Sequence, residues 1–169
     1  PDGKELPWIQ LQGKPLSYNN YADMESAISI VLEFDEVACA IIKHANPCGF
    51  GVGGSIHEAY NRAVSTDPLS YFGGIVAFNK LIDESMAMEL VNPFLECIIA
   101  PEVTPEALKV FKKKKNLRVV TLDNNYKPSR ESIKSVAGGY LFQQKDSDQG
   151  ELEALEIVTN LQPTNEDLK

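Results

Sequence analysis

The run Val37-Ala38-Cys39-Ala40-Ile41-Ile42 constrains the fold of this chain more than any other stretch. It is too short for a helix, and an unbroken apolar run of that length is the pattern of a strand buried on both faces of a sheet. Directly after it come Lys43-His44-Ala45-Asn46-Pro47-Cys48-Gly49 and then the glycine-rich Gly49-Phe50-Gly51-Val52-Gly53-Gly54. The strand therefore carries two titratable side chains at its carboxyl end, which in open parallel sheets is where ligands bind. A Lys beside a His offers a charge stabiliser and a proton acceptor. Read alone, the pair also fits an ordinary strand end, with a solvated Lys and a His packed in a loop. The residues that follow favour the functional reading. Asn46 is held extended by Pro47, which fixes the chain just after the pair, and the glycines let a ligand approach the backbone closely.

The rest of the chain alternates strands and helices. Residues 8–11 and 15–20 read as extended segments around a turn at Gly13. Asp23 reads as the cap of a helix with Met24, Ala27, Ile28 and Val31 on one face. Ser55-Ile56-His57-Glu58 is a Ser-x-x-Glu capping box, and Ile56, Ala59, Tyr60, Ala63 and Val64 continue the helical period. Asp67-Pro68 breaks that helix before a strand at 75–78. A short helix at about 83–90 leads to a strand at 97–100. Thr104-Pro105 starts another helix with Pro at its first position, and Lys112 to Lys115 close it where the dipole favours cations. Strands are expected at 117–122, 139–143 and 155–158. The fold class is α/β: a layered α/β/α domain with a mostly parallel or mixed sheet, one domain over the 169 residues.

Several functions are excluded or disfavoured. A net charge of −8 argues against nucleic acid as a partner, and the four lysines at 112–115 read as a solvated helix end. No stretch approaches the roughly 20 apolar residues of a membrane span. Pro1-Asp2-Gly3-Lys4-Glu5 lacks the basic and apolar regions of a secretory signal, so a cytoplasmic chain is expected. Three cysteines, Cys39, Cys48 and Cys97, are an odd count and read as free thiols of a reducing compartment. Residues 49–54 contain Gly-x-Gly-x-x-Gly, but in the dinucleotide fold the first glycine follows the strand directly, whereas here Lys43 to Cys48 intervene. The stretch reads as a surface loop or as an anion cradle feeding the next helix. His44, Cys48 and His57 do not make a structural zinc set, and the deaminase Pro-Cys-x-x-Cys lacks its second Cys. No metal is expected.

Taken together, Lys43-His44-Ala45-Asn46-Pro47-Cys48-Gly49, Ala59-Tyr60-Asn61-Arg62-Ala63, the segment from Asp67-Pro68 through Ser70-Tyr71-Phe72-Gly73-Gly74 to Ala77-Phe78-Asn79, Ile98-Ile99-Ala100-Pro101 and Leu16-Ser17-Tyr18-Asn19-Asn20 closely resemble the AICAR transformylase family, in which the activity is joined to IMP cyclohydrolase. The motifs occur in family order. The resemblance implies transfer of a formyl group from 10-formyltetrahydrofolate, a co-substrate, to the 5-amino group of AICAR. It also implies a domain of two cytidine-deaminase-like subdomains without zinc, and a homodimeric parent. By resemblance His44 matches the proton acceptor and Lys43 the transition-state stabiliser, while Gly73 and Glu96 match positions contacting the AICAR nucleotide. The expectation is that this chain is the first half of the transformylase domain, a fragment, with the folate-binding residues and most phosphate-binding residues outside it. The first residue is not Met, and Leu161 to Lys169 carry cap residues of a helix that does not follow. A catalytically silent nucleotide-binding module of the same fold is the competing reading. Intact Lys43-His44 favours the enzyme.

Overall fold

The computed structural model describes residues 6–145 and 156–166. The elements in chain order are β1 (Trp8–Gln12), α1 (Tyr18–Val31), β2 (Val37–Lys43), β3 (Asn46–Gly53), α2 (Ile56–Thr66), β4 (Ile75–Phe78), α3 (Glu84–Leu90), β5 (Cys97–Ala100), α4 (Pro105–Phe111), β6 (Arg118–Leu122), β7 (Glu131–Val136) and β8 (Gly139–Gln144). The chain divides into two compact units, Pro1–Pro128 and Ser129–Lys169.

The first unit is built on a six-stranded sheet of order β1-β6-β5-β4-β2-β3. The strands β4, β5 and β6 run parallel, whereas β2 is antiparallel to both of its neighbours and β1 is antiparallel to β6. The sheet is therefore mixed, and β2 is interior but one strand from the edge. Because side chains alternate along a strand, each apolar run feeds two cores. Ala38, Ala40, Ile42, Ile75, Ala77, Ile99 and Val120 pack against Met24, Ala27, Ile28 and Val31 of α1. Cys39, Ile41, Val76, Phe78, Ile98 and Val119 pack against α2, α3 and α4. This gives the α/β/α layering and explains why β2, β4 and β5 carry no polar face.

Three expectations change. The helix α1 begins six residues before Asp23, at the Ser17 cap. Ser17 Oγ accepts the Asn20 N–H, and Asn20 Oδ1 accepts the Ser17 N–H at 3.0 Å. Asn at the fourth place of a capping box does the work more often done by Glu or Gln, so residues 18–20 are helical rather than extended. The glycine-rich stretch is not a loop but β3, paired along its length with β2. Its glycines are there for packing: a Cβ on Gly51 would strike the Ala59 carbonyl and lie 2.7 Å from the Ala63 nitrogen of α2. Thus α2 lies directly on the strand backbone. The third change concerns 155–158: residues 156–158 form no strand, and Leu155 lies outside the described residues.

The second unit contains the β7–β8 hairpin, of which the sequence suggested only β8. Its Ile133, Tyr140, Leu141 and Phe142 are exposed, and an isolated two-stranded hairpin is marginal in water.

The close seating of α2 on β3 gives a stability prediction. Gly51→Ala is expected to cost about 2–3 kcal/mol by overpacking against fixed backbone. Gly54→Ala should cost little, because its Cβ would meet only the end of the Glu58 side chain at an ordinary 3.5 Å. Urea denaturation midpoints of the two variants check this, and equal midpoints would sink it.

Candidate active site

The antiparallel placement of β2 decides where the Lys-His pair sits. Ile42 pairs with Ile75, the first residue of β4, so the carboxyl end of β2 lies beside the amino ends of the three parallel strands. Gly73 comes two residues before β4, Glu96 immediately precedes β5, and Arg118 opens β6. The expectation that the pair sits at the carboxyl ends of parallel strands is therefore not met: β2 is antiparallel to β4, and the pair lies at the amino ends of β4, β5 and β6. Lys43, His44, Gly73 and Glu96 line one cleft of about 440 Å³, together with Asn20 and Asp23 of α1.

The pair is held on a tight turn. Lys43 pairs with Asn46, so His44 and Ala45 are the two central residues of the β2–β3 hairpin. Both have positive φ, 56° and 60°, the pattern of a type I′ turn, which normally takes Asn-Gly or Asp-Gly. Non-glycine residues held in this region cost about 1–3 kcal/mol each and persist only where their surroundings over-determine them. Here the Ala45 N–H donates to Asp23 Oδ1 at 2.6 Å, and Asn46 Nδ2 donates to the His44 carbonyl at 3.0 Å. The His44 side chain is exposed at the turn's tip. Lys43 is half-buried, and its Nζ donates to the carbonyl of Phe72, another residue lining the cleft, at 2.9 Å.

Phe72 and Gly73 of the 67–74 segment also line the cleft. Asp67 Oδ1 accepts the N–H groups of Leu69 and Ser70. Hydrogen bonding from Ser70 holds its carboxyl below the usual range. Gly73 has φ +74°, donates its N–H to the Phe94 carbonyl at 2.7 Å and leads into Gly74, whose N–H returns to the Tyr71 carbonyl. That is a turn whose third residue needs positive φ. The rings of Phe72 and Phe94 lie 5.3 Å apart and are both more than half exposed, an apolar lip suited to a flat heteroaromatic ligand.

Glu96 is the oriented carboxylate of the cleft. Its Oε2 accepts from Arg118 Nη1 at 3.2 Å and from Asn20 Nδ2 at 3.4 Å. Arg118 is nearly buried, and its Nε is anchored on the Pro15 carbonyl. Sequence reasoning missed Asn20, Asp23, Phe94 and Arg118 as parts of the site. A usable signal was present: Asn20 and Asp23 are three apart, hence on one face of a helix, and an Arg opens a strand that otherwise holds no charged residue.

The residues weighed as metal ligands are not gathered. His57 bridges α2 and α3, its Nδ1 2.7 Å from Glu89 Oε1 and its Nε2 2.9 Å from Ser85 Oγ. Among the described residues no group of three or more His, Cys, Asp or Glu could hold a metal ion, and no helix is long and apolar enough to cross a membrane. All three cysteines are free. Burial pushes the Cys97 thiol up to about 12 and raises Cys39 and Cys48 as well. Cys48, just beyond the turn, is therefore a neutral thiol at physiological pH rather than a nucleophile.

The family model described as AICARFT/IMPCHase bienzyme matches residues 3–169. The chain belongs to this family. It is 51% identical to the bifunctional purine biosynthesis protein PurH of Brachyspira hyodysenteriae, over 99% of this chain and 33% of that protein. The same-named protein of Fusobacterium nucleatum is 46% identical over 99% of this chain and 33% of its own length. The chain thus spans about a third of the length of the curated relatives it matches. A Desulfotalea psychrophila structure assigned as a formate dehydrogenase accessory protein aligns with TM-score 0.51 at 13% identity, over 62% of this chain and 55% of its own. That likeness extends to the fold alone. Within the AICARFT/IMPCHase family, then, this chain supplies a mixed-sheet unit with one cleft holding an exposed imidazole, an ammonium and a clamped carboxylate.

Proposed function

We propose that this chain is the first half of an AICAR transformylase domain and contributes the reacting groups for formyl transfer from 10-formyltetrahydrofolate to AICAR, giving FAICAR in purine biosynthesis. The whole protein is then a cytoplasmic homodimer that also carries IMP cyclohydrolase. The observation that carries the reading is that Lys43, His44, Gly73 and Glu96 line one cleft in a chain of this family.

The chemistry suits the groups. The 5-amino group of AICAR is conjugated to an electron-poor imidazole and is a weak nucleophile. As its nitrogen bonds to the formyl carbon, His44 takes the N–H proton. The formyl oxygen gains negative charge in the tetrahedral intermediate, and the Lys43 ammonium stabilises it. Collapse breaks the bond from the formyl carbon to N10 of the folate, which takes up the proton His44 removed and leaves as the neutral secondary amine, so that the imidazole is free again. Glu96 accepts donors of the nucleotide, and the Phe72–Phe94 lip stacks on a flat ring.

The complete protein incubated with AICAR and 10-formyltetrahydrofolate should form FAICAR and tetrahydrofolate in equal amounts, and Lys43→Met should abolish this. A silent nucleotide-binding module would bind AICAR without turnover, which would overturn the enzymatic reading.

A further inference from the structure

We propose that Asp23 is a positioning residue for the reaction: by accepting the Ala45 N–H, its carboxylate holds the His44–Ala45 turn in the left-handed form that presents the imidazole to the cleft. The inference rests on the reading of His44 as the base.

The turn lacks the glycine that its geometry favours. Two-residue hairpin turns with both φ positive draw their stability from Asn, Asp and Gly. This one holds Ala at its second position, with φ 60°, where glycine is the residue without a steric penalty. An Ala there leaves the turn free to relax unless something outside it intervenes. Asp23 comes from a different element, α1, and its 2.6 Å contact to the Ala45 N–H is a charge-assisted hydrogen bond, the strong class. The other local bond, from Asn46 to the His44 carbonyl, lies within the hairpin and moves with it. Among the described residues Asp23 is thus the side chain that ties the turn to the helical layer. Because α1 also carries Asn20, which contacts Glu96, one helix sets both the proton acceptor and the nucleotide-facing carboxylate. A misplacement of the imidazole by about 1 Å is worth roughly 10²-fold in rate, so a tether at this point acts on kcat.

The test is carried out in the complete transformylase. Asp23→Ala should lower kcat by roughly 10²-fold with little change in the KM for AICAR, and it should speed hydrogen exchange of the Ala45 amide. Asp23→Asn keeps an acceptor oxygen and should retain most of the turnover. Adding Ala45→Gly to Asp23→Ala should recover at least tenfold of the lost kcat, because glycine removes the steric reason for the turn to relax. A merely structural role predicts no such rescue. If His44→Ala is inactive while Asp23→Ala keeps kcat within threefold, the inference falls and the reading of the site stands. If His44→Ala turns over normally, that reading falls, whereas faster Ala45 exchange in Asp23→Ala still reports on the tether. Should Asp23→Ala fail to fold, Asp23→Asn decides: a loss of more than tenfold despite the retained acceptor overturns the proposal.

Discussion

Replacing His44 by Ala in the complete transformylase lowers kcat for formyl transfer by roughly 10²- to 10⁴-fold, the usual loss when a positioned general base is removed, with AICAR affinity nearly unchanged. The split follows from geometry. His44 is exposed at the tip of the hairpin turn, so truncating it removes no core contact. The turn itself is fixed through backbone groups, the Ala45 N–H and the His44 carbonyl, which alanine retains. Glu96, Gly73 and the aromatic lip, which hold the nucleotide on the proposed reading, remain in place. Steady-state kinetics beside equilibrium AICAR binding measure the two quantities separately. Turnover within fivefold of the wild type would remove His44 from the mechanism, and a parallel loss of binding would make it a ligand-holding group instead.

How the pair could be found from residues alone, and its neighbours could not, has a physical explanation. The run at 37–42 is apolar at every position, so its burial and its role as a strand follow from composition, and Lys43-His44 is adjacent to it in sequence. Gly73 and Glu96 are not adjacent to it, and only the family resemblance named them. They reach the cleft because β2 turns antiparallel to β4, and strand direction is a property of pairing that no local pattern encodes. The glycine-rich stretch misled for a related reason. Gly49, Gly51 and Gly53 alternate with Phe50 and Val52, which is strand periodicity, but glycine's preference for turns dominates a local reading. Only the presence of α2 against the strand explains why no side chain fits there. The start of α1 was hidden because Ser17-x-x-Asn20 is a weaker capping signal than Ser-x-x-Glu, although the hydrogen bonds it makes are of the same kind. Arg118 and Asp23 act through the third dimension, one under Glu96 and the other under Ala45.

The 169-residue polypeptide by itself is expected to be close to inert in formyl transfer, whereas the complete domain is active. On the proposed reading the cleft holds the reacting groups, but its charge does not suit a nucleotide phosphate. Of the side chains lining it, Lys43 is cationic, while Asp23 and Glu96 are carboxylates. The guanidinium of Arg118 is already engaged by Glu96 and the Pro15 carbonyl. A nucleotide phosphate brought to such a surface meets more negative than positive charge, in a chain of net charge −8. On the proposed reading its affinity would draw on cations of the complete protein, of which this chain spans 33% in the Brachyspira relative. Holding two reactants in register is worth roughly 7–11 kcal/mol in well-oriented reactions, so a site with its chemistry but without most of its binding walls forfeits nearly all of the rate. A steady-state assay of the isolated polypeptide beside the complete domain, with circular dichroism to establish that the polypeptide is folded, decides the matter. Turnover within tenfold of the complete domain would mean that the groups on this chain suffice to bind both substrates, and that the cleft's charge has been misread.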